Sequence, residues 1–268
     1  MRVTHPPQAV NGIPPENVFQ VSDSANMPVA EGFIVATYQP YLFPERPLNI
    51  YINTQSKGPG RDMLLGALLA RAQQLRLQTP QFRSRVFAQV AAQDMAMMSF
   101  YLDCGFLLDD ALDVVEIFPP NAKPNAPMGY QMAAVPLTTD AERAAFLYRM
   151  NSYRMDIIQP QLLARYMSMQ HFTALYISRG TDIVGETILM GEGGAAKLIG
   201  LYVAPNYRRI GIAKCLIAAG MQQLAGQGVQ HFESDIIRRS VEQGRLGQSC
   251  KAKFLRTACF FPGINYDG

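Results

Sequence analysis

The feature of this sequence that most limits how the chain can fold is a glycine-containing turn between an apolar strand and an apolar helix. The strand ends at Val203, the turn runs through Pro205 to Gly211, and apolar residues then recur at helical spacing over 212–225. Successive backbone N–H groups in such a turn, at the positive end of a helix dipole, form a cradle for a pyrophosphate. The chain must therefore place strand, turn and helix next to one another, with the turn open to an anion.

The side chains of the turn fit the same role. Gly211 and Ala213 keep bulky groups away from the approach to the backbone, and Arg208, Arg209 and Lys214 supply positive charge. Charge is also uneven along the chain, since residues 1–125 carry a net charge of −2 and residues 126–268 carry +5. The second half is thus the expected anion-binding half.

Composition excludes several classes of protein. With 268 residues and 49% hydrophobic residues, the chain can bury one or two cores of globular size. No apolar stretch approaches the length needed to span a bilayer, and the N-terminus does not resemble a signal peptide, so we expect a cytoplasmic protein without membrane contact. The four cysteines and three histidines are scattered singly, which predicts reduced thiols and no metal site.

Four prolines and two asparagines between Phe118 and Gly129 favour an extended connector. We therefore predict an N-terminal arm over 1–17, a first domain over 18–119, a linker over 120–129 and a second domain over 130–268. The same order of strands, glycine turn and helices is found on both sides of the linker, which indicates an internal duplication. The opening strand and two helices of the second half have no counterpart in the first. Near the C-terminus, the pattern predicts a helix over 239–257 and a short strand over 259–261.

The turn resembles the acetyl-CoA signature of the GNAT superfamily of N-acetyltransferases, Arg/Gln-x-x-Gly-x-Gly/Ala, which here is Arg208-Arg209-Ile210-Gly211-Ile212-Ala213. The preceding strand, ending in Tyr-Val-x-Pro, and the aromatic Tyr207 match the family as well. The first half repeats the signature as Gln55-Ser56-Lys57-Gly58-Pro59-Gly60-Arg61. That turn is two residues shorter, and Pro59 lacks an N–H group that could hold phosphate.

A second family signature is a helix ending in Phe/Leu-Tyr-x-x-x-Gly-Phe, whose tyrosine is the usual general acid for the departing thiolate. The first half matches it with Phe100-Tyr101-Leu102-Asp103-Cys104-Gly105-Phe106. In the second half we align Phe254-Leu255 with this motif, which puts a leucine where the tyrosine is expected. The resemblance thus covers nearly the whole chain, with the better phosphate turn in one half and the acid in the other.

By this resemblance we expect an α/β protein of two GNAT folds in tandem, each a mixed, mainly antiparallel sheet flanked by helices, with the N-terminal fold incomplete. The implied function is direct transfer of an acetyl group from acetyl-CoA to a primary amine. The implied acetyl-CoA-binding residues are Leu201, Tyr202, Val203, Arg208, Arg209, Ile210, Gly211, Ile212, Ala213, Lys214 and Phe254. Candidates for proton transfer are Tyr101, Tyr202, Glu186 and Glu233, with Asp235 as a further base and Tyr266, water or the Gly268 carboxylate as substitutes for the acid.

Other functions stay open at this point. The split signatures are compatible with a non-catalytic acyl-CoA-binding or scaffold protein, or with catalysis by the first domain through Tyr101. The expected acceptor is a small-molecule or peptide amine that the sequence does not identify. We expect no nucleic-acid partner, because the basic residues near the C-terminus fit a solvated helix face better than a DNA-reading surface. GNAT domains often pair, which leaves a homodimer open.

Overall fold

The computed structural model describes residues 1–56 and 58–267. Its elements, in chain order, are β1 (Arg2–Thr4), β2 (Val18–Ser22), β3 (Pro28–Tyr38), β4 (Leu48–Ser56), α1 (Arg61–Leu77), β5 (Ser84–Ala88), β6 (Val90–Ala91), α2 (Met95–Asp103), β7 (Ala111–Glu116), β8 (Gln131–Ala134), α3 (Asp140–Asn151), α4 (Pro160–Met167), β9 (His171–Arg179), β10 (Asp182–Glu192), β11 (Ala195–Val203), α5 (Ile212–Ala225), β12 (His231–Ile237), α6 (Val241–Ser249), β13 (Lys253–Phe260) and β14 (Gly263–Tyr266). Short 3₁₀ turns lie at Pro15–Asn17 and Pro205–Tyr207.

The chain forms two compact units, one of residues 1–111 and 258–268 and the other of residues 112–257. The sheet of the first unit has the strand order β1-β2-β3-β4-β5-β14. Its neighbouring strands are antiparallel except for β4 and β5, which are parallel. Helix α1 packs on this sheet with Leu64, Leu65 and Leu68, all buried in one core with Ile34 and Ile52.

The sheet of the second unit has the strand order β13-β7-β12-β11-β10-β9-β8, and its strands β11 and β12 pair in parallel. Helix α5 buries Leu216, Ile217, Met221 and Leu224 against one face of this sheet. Helices α3 and α4 form a second core, around Phe146, with the other face. Thr139 opens α3 with a capping box, as expected of a threonine three residues before a glutamate. The predicted fold class, two mixed sheets with flanking helices, is confirmed.

The division between the units does not coincide with the predicted domain boundary. Strand β7 was expected to close the first domain, yet it pairs with β12 of the second unit, where Ser234 lies opposite Val115. Strand β14, from the end of the second half, pairs with β5 in the first unit. Each half of the sequence therefore contributes its last strand to the sheet made mainly by the other half. A strand can join any sheet whose edge and apolar face match it, so chain order alone does not fix its sheet.

Two further predictions differ from the structure. The helix predicted over 239–257 ends at Ser249, and the residues from Lys253 to Phe260 form a strand. Lys251 takes a left-handed conformation with φ of 51°, which ends the helix. The predicted N-terminal arm also contains structure, because Arg2–Thr4 pair with β2 as strand β1.

Candidate functional site

The site predicted from the turn lies where two parallel strands of the second unit separate. β11 and β12 are paired only from Ala195–His231 to Leu198–Ser234. Beyond that rung β12 continues along β7, and β11 continues along β10 to Val203. The register of β10 and β11 shifts between Ile188 and Leu189, so Ile199 is an extra residue in β11. A bulge bends its strand and increases the local twist, which explains why β11 leaves β12 at this point.

The edge of β11 that faces this gap carries backbone groups that pair with no described neighbouring strand. The N–H of Ala204 donates to the carbonyl of Val184 across the β10 ladder. Because successive residues of a strand direct their N–H and C=O groups to opposite edges, Val203 and Leu201 direct theirs into the gap. The Nε of Arg208 donates to the Val203 carbonyl at 3.2 Å. The gap thus offers extended backbone for an extended ligand to pair with.

The turn itself has the conformation needed to aim N–H groups outward. Arg209 and Gly211 have φ values of 67° and 93°, and Gly211 is the N-cap of α5. A Cβ built on Gly211 would meet no atom within 4 Å, so the space in front of it is open. In the part of the chain that the structure describes, the backbone N–H groups of residues 210–213 donate no hydrogen bond. Four adjacent donors at a helix N-terminus are therefore available to an anion.

Side chains of the signature take different directions around the turn. The guanidinium of Arg208 lies 4.9 Å from the ring centre of Tyr153, and that ring lies 5.3 Å from the ring of Tyr202. Arg209 extends to Glu242 at the start of α6, at 3.5 Å, and both side chains are largely exposed. Lys214 is exposed on the first turn of α5. The structure thus brings Leu201 to Lys214 together at one end of the gap.

The predicted bases are placed unequally. Glu186 is fully buried on β10, and both its carboxylate oxygens accept hydrogen bonds from Arg149 of α3 at 2.8 Å. Burial raises the pKa of Glu186 in spite of this partner. Glu233 lies on β12, where its nearest cation is Arg256 at 3.9 Å. Both oxygens of Glu186 are therefore engaged by Arg149, whereas Glu233 is only loosely held.

The structure corrects the alignment of the family's tyrosine motif in the second half. Helix α2 lies between the N-cap Asp94 and the C-cap Cys104, and α6 lies between the N-cap Ser240 and the C-cap Cys250. Both helices end with the same hydrogen bonds, in which Phe106 N–H donates to the Tyr101 carbonyl and Ala252 N–H donates to the Gly247 carbonyl.

Gly247 therefore occupies the place of Tyr101, seven residues after the cap in each helix. A side chain there would collide with Ile236, because a Cβ would lie 2.7 Å from its Cδ1. Phe254 and Leu255, which were aligned with the motif, lie instead on β13 and are 62% and 45% exposed. The equal spacing from cap to terminal cysteine was the signal that could have found this correspondence.

The equivalent region of the first unit is closed by its own hydrogen bonds. The N–H of Gly58 donates to the Ser56 hydroxyl, and Arg61 donates to the Ser56 carbonyl at 2.8 Å. A Cβ on Gly60 would lie 3.1 Å from Val21, so the turn is packed against β2 rather than open. Lys57 of this signature lies outside the described residues, as does Gly268.

Tyr101 is buried in the first unit and hydrogen-bonds to Thr54 at 2.9 Å. Burial raises its pKa to about 12, although the Thr54 hydrogen bond opposes the shift. Tyr266, another proposed acid, also belongs to the first unit, where the guanidinium of Arg76 stacks on its ring at 3.9 Å.

Among the described residues, no helix is long and apolar enough to cross a membrane. No group of three or more histidine, cysteine or acidic side chains there is arranged to hold a metal ion.

Comparison with known proteins gives a family match for part of the second unit. Residues 140–238 match the model of the acetyltransferase (GNAT) family. No curated protein matched the whole sequence with significance. Among solved structures, a GCN5-related N-acetyltransferase from Anabaena variabilis superposes with a TM-score of 0.55 at 12% identity, over 91% of this chain and 62% of that one.

Two more solved structures are similar. A probable N-acyltransferase from Enterococcus faecalis superposes with a TM-score of 0.53 at 10% identity, over 92% of this chain and 61% of that one. A tandem GNAT protein from the clavulanic acid biosynthesis pathway gives a TM-score of 0.47 at 13% identity, over 92% of this chain and 82% of that one. At 12% and 10% identity, the two structures with TM-scores above 0.5 show similarity of fold alone.

Proposed function

We propose that the second unit, whose residues 140–238 match the acetyltransferase (GNAT) family, transfers an acetyl group from acetyl-CoA to a primary amine by direct attack. The four unengaged N–H groups of residues 210–213 carry this proposal. An engaged turn would have had nothing to offer a diphosphate. The open space in front of Gly211 and the nearby Arg208, Arg209 and Lys214 support the same reading.

The gap between β11 and β12 can hold the part of acetyl-CoA that extends from the diphosphate to the thioester. The gap-facing groups of Leu201 and Val203 can pair with the amide-rich arm of CoA as a strand would. A free N–H at this edge can also donate to the thioester oxygen as negative charge develops there, an effect worth about 3 kcal/mol of barrier in comparable sites. Phe254 does not enter this proposal, because it lies exposed on β13.

We assign catalysis to the second unit and a structural role to the first. In the first unit, the Gly58 N–H and the Arg61 guanidinium are bonded to Ser56, and Pro59 has no N–H. Tyr101 is buried and bonded to Thr54. These contacts engage one backbone N–H of the turn, the Arg61 guanidinium and the Tyr101 hydroxyl. Since Gly247 supplies no phenol in the second unit, the departing thiolate there takes its proton from Tyr202 or from water.

The proposal makes a stoichiometric prediction. Isothermal titration of the full chain with acetyl-CoA should give one site per chain, not two. With spermidine, kanamycin or a lysine peptide as acceptor, release of free CoA thiol should then exceed the amine-free rate for at least one of them. Binding without any thiol release would favour the non-catalytic acyl-CoA-binding alternative. Two equivalent sites, or none, would contradict the assignment to the second unit.

A further inference from the structure

The vertex of the gap between β11 and β12 holds an ion pair that the sequence patterns did not reveal. Leu198 and Ser234 form the last paired rung. Asp235 is the first residue of β12 beyond it, and the ammonium of Lys197 in β11 lies 2.7 Å from its Oδ2. The pair thus bridges the two strands at the point where they part.

The second oxygen of the Asp235 carboxylate has no hydrogen-bond donor in the part of the chain that the structure describes. Asp235 Oδ1 is buried and accepts no hydrogen bond from any described residue, while the side chain as a whole is 34% exposed. A buried carboxylate oxygen without a donor is unfavourable, and native structures rarely keep one without a reason. The missing donor is the kind of group that a substrate can bring.

Asp235 lies on the face of the sheet that α3, α4 and the segment between them cover. Arg154, from that segment, donates to the carbonyl of the bulged residue Ile199. Asp235 interacts electrostatically with both Arg154 and Tyr166 of α4. Helix α5 packs on the opposite face, in a core that includes Phe232 and Ile236. The free oxygen therefore belongs to the side from which a second substrate would approach.

We propose that Asp235 binds the protonated amine of the acceptor and takes its proton, and that Lys197 is the positioning residue that holds the carboxylate. The inference rests on the proposed function and names the acceptor class as an alkylammonium. One proton passes from the ammonium nitrogen to Oδ1. The freed lone pair then forms the N–C bond to the thioester carbon, the C–S bond breaks, and the thiolate leaves with its electrons. The amide nitrogen releases its second proton to water, and the thiolate gains one.

Two other carboxylates of the unit, Glu186 and Asp113, do not offer the same arrangement. Glu186 has both oxygens bonded to Arg149. Asp113, on β7, accepts from Arg238 at both oxygens and from Thr257. Asp235 combines one oxygen held by Lys197 with one oxygen that has no donor among the described residues, at the vertex of the gap, which is the geometry required of a base that must bind and then receive a proton.

The test uses n-butylamine, an acceptor small enough not to depend on the natural substrate. Asp235→Asn should lower kcat/KM for butylamine by about a hundredfold or more, as expected for loss of a general base. Its Kd for acetyl-CoA should stay within twofold, which also reports correct folding. Asp113→Asn is the matched control, because that carboxylate is also paired with a cation in the same unit and lies off the proposed path; its kcat/KM should stay within threefold.

Lys197 is tested by comparing two replacements. Lys197→Met should raise KM for butylamine and lower kcat together, with the acetyl-CoA KM unchanged, and Lys197→Arg should restore most of the loss. A merely structural role would instead change the melting temperature and the acetyl-CoA KM alike. The inference is overturned if Asp235→Asn has wild-type kinetics. It is also overturned if the wild-type enzyme binds acetyl-CoA but does not acetylate butylamine. Failure of the wild type to bind acetyl-CoA would overturn the proposed function instead.

Discussion

Replacing Gly211 should separate the conformational and the electrostatic demands of the phosphate turn. Its φ of 93° is strained for any other residue, yet a Cβ there would touch nothing within 4 Å. Gly211→Ala therefore adds strain without a collision. Gly211→Glu adds the same strain and a negative charge beside the predicted diphosphate.

The expected losses follow from these two contributions. An alanine held in the left-handed region costs about 1–2 kcal/mol. If the free protein relaxes that strain, binding must restore it, so the Kd for acetyl-CoA should rise about 5- to 30-fold. A carboxylate roughly 6 Å from a phosphate charge adds about 2 kcal/mol at an effective dielectric constant near 20, after allowance for exposure. Gly211→Glu should thus weaken binding about a hundred- to several-hundredfold.

Isothermal titration with acetyl-CoA measures both changes, and Gly180 provides the control. Gly180 also has a positive φ, of 60°, and open space around its Cβ, but it lies in the hairpin between β9 and β10. Gly180→Glu should lower the free energy of unfolding by a similar amount and leave the Kd unchanged. A Kd for Gly211→Glu within threefold of the wild-type value would refute the reasoning, since the turn would then not hold the diphosphate.

Three more predictions test the surroundings of the site. Tyr101→Phe should leave kcat within twofold of the wild-type value. Urea denaturation should show a free energy of unfolding lower by about 1 kcal/mol, because the hydrogen bond to Thr54 is lost. A hundredfold loss of kcat would instead assign catalysis to the first unit. Arg149→Met should destabilise the fold by about 3–5 kcal/mol by leaving the Glu186 carboxylate buried alone, and adding Glu186→Gln should recover most of it. Partial burial raises the pKa of Asp109, but the hydrogen bond and charge of Arg85 lower it more, so the pKa lies below its usual value. The stability that ionised Asp109 contributes is therefore present above about pH 4 and is lost as the pH falls further. In a pH series of melting temperatures, Asp109→Asn should lack this part of the acid-induced loss.

Much of the site could be predicted because it is local in sequence. The strand, turn and helix from Leu201 to Ile217 fix the cradle through dihedral angles and helix geometry, and the structure places them together as expected. In the second half, the sequence alignment places Leu255 at the tyrosine position, eight residues after the true equivalent Gly247, because Phe254 matches the aromatic residue of the motif. Matching by residue type gives the wrong alignment there. The number of residues from the N-cap to the terminal cysteine gives the right one, because helix length fixes that number.

The sequence by itself determined the fold class, the duplication and the strand-turn-helix that we propose binds an anion, since each depends on periodicity, glycine position and charge within about twenty residues. Only the tertiary structure decided which sheet receives β7 and β14, because strand pairing depends on edges that are distant in the chain. It also decided which carboxylates are already bonded. Glu186 meets Arg149 across 37 residues, and Asp235 meets Lys197 across two strands that are adjacent only in space. A group's freedom to act on a substrate depends on such contacts, and these contacts are properties of packing.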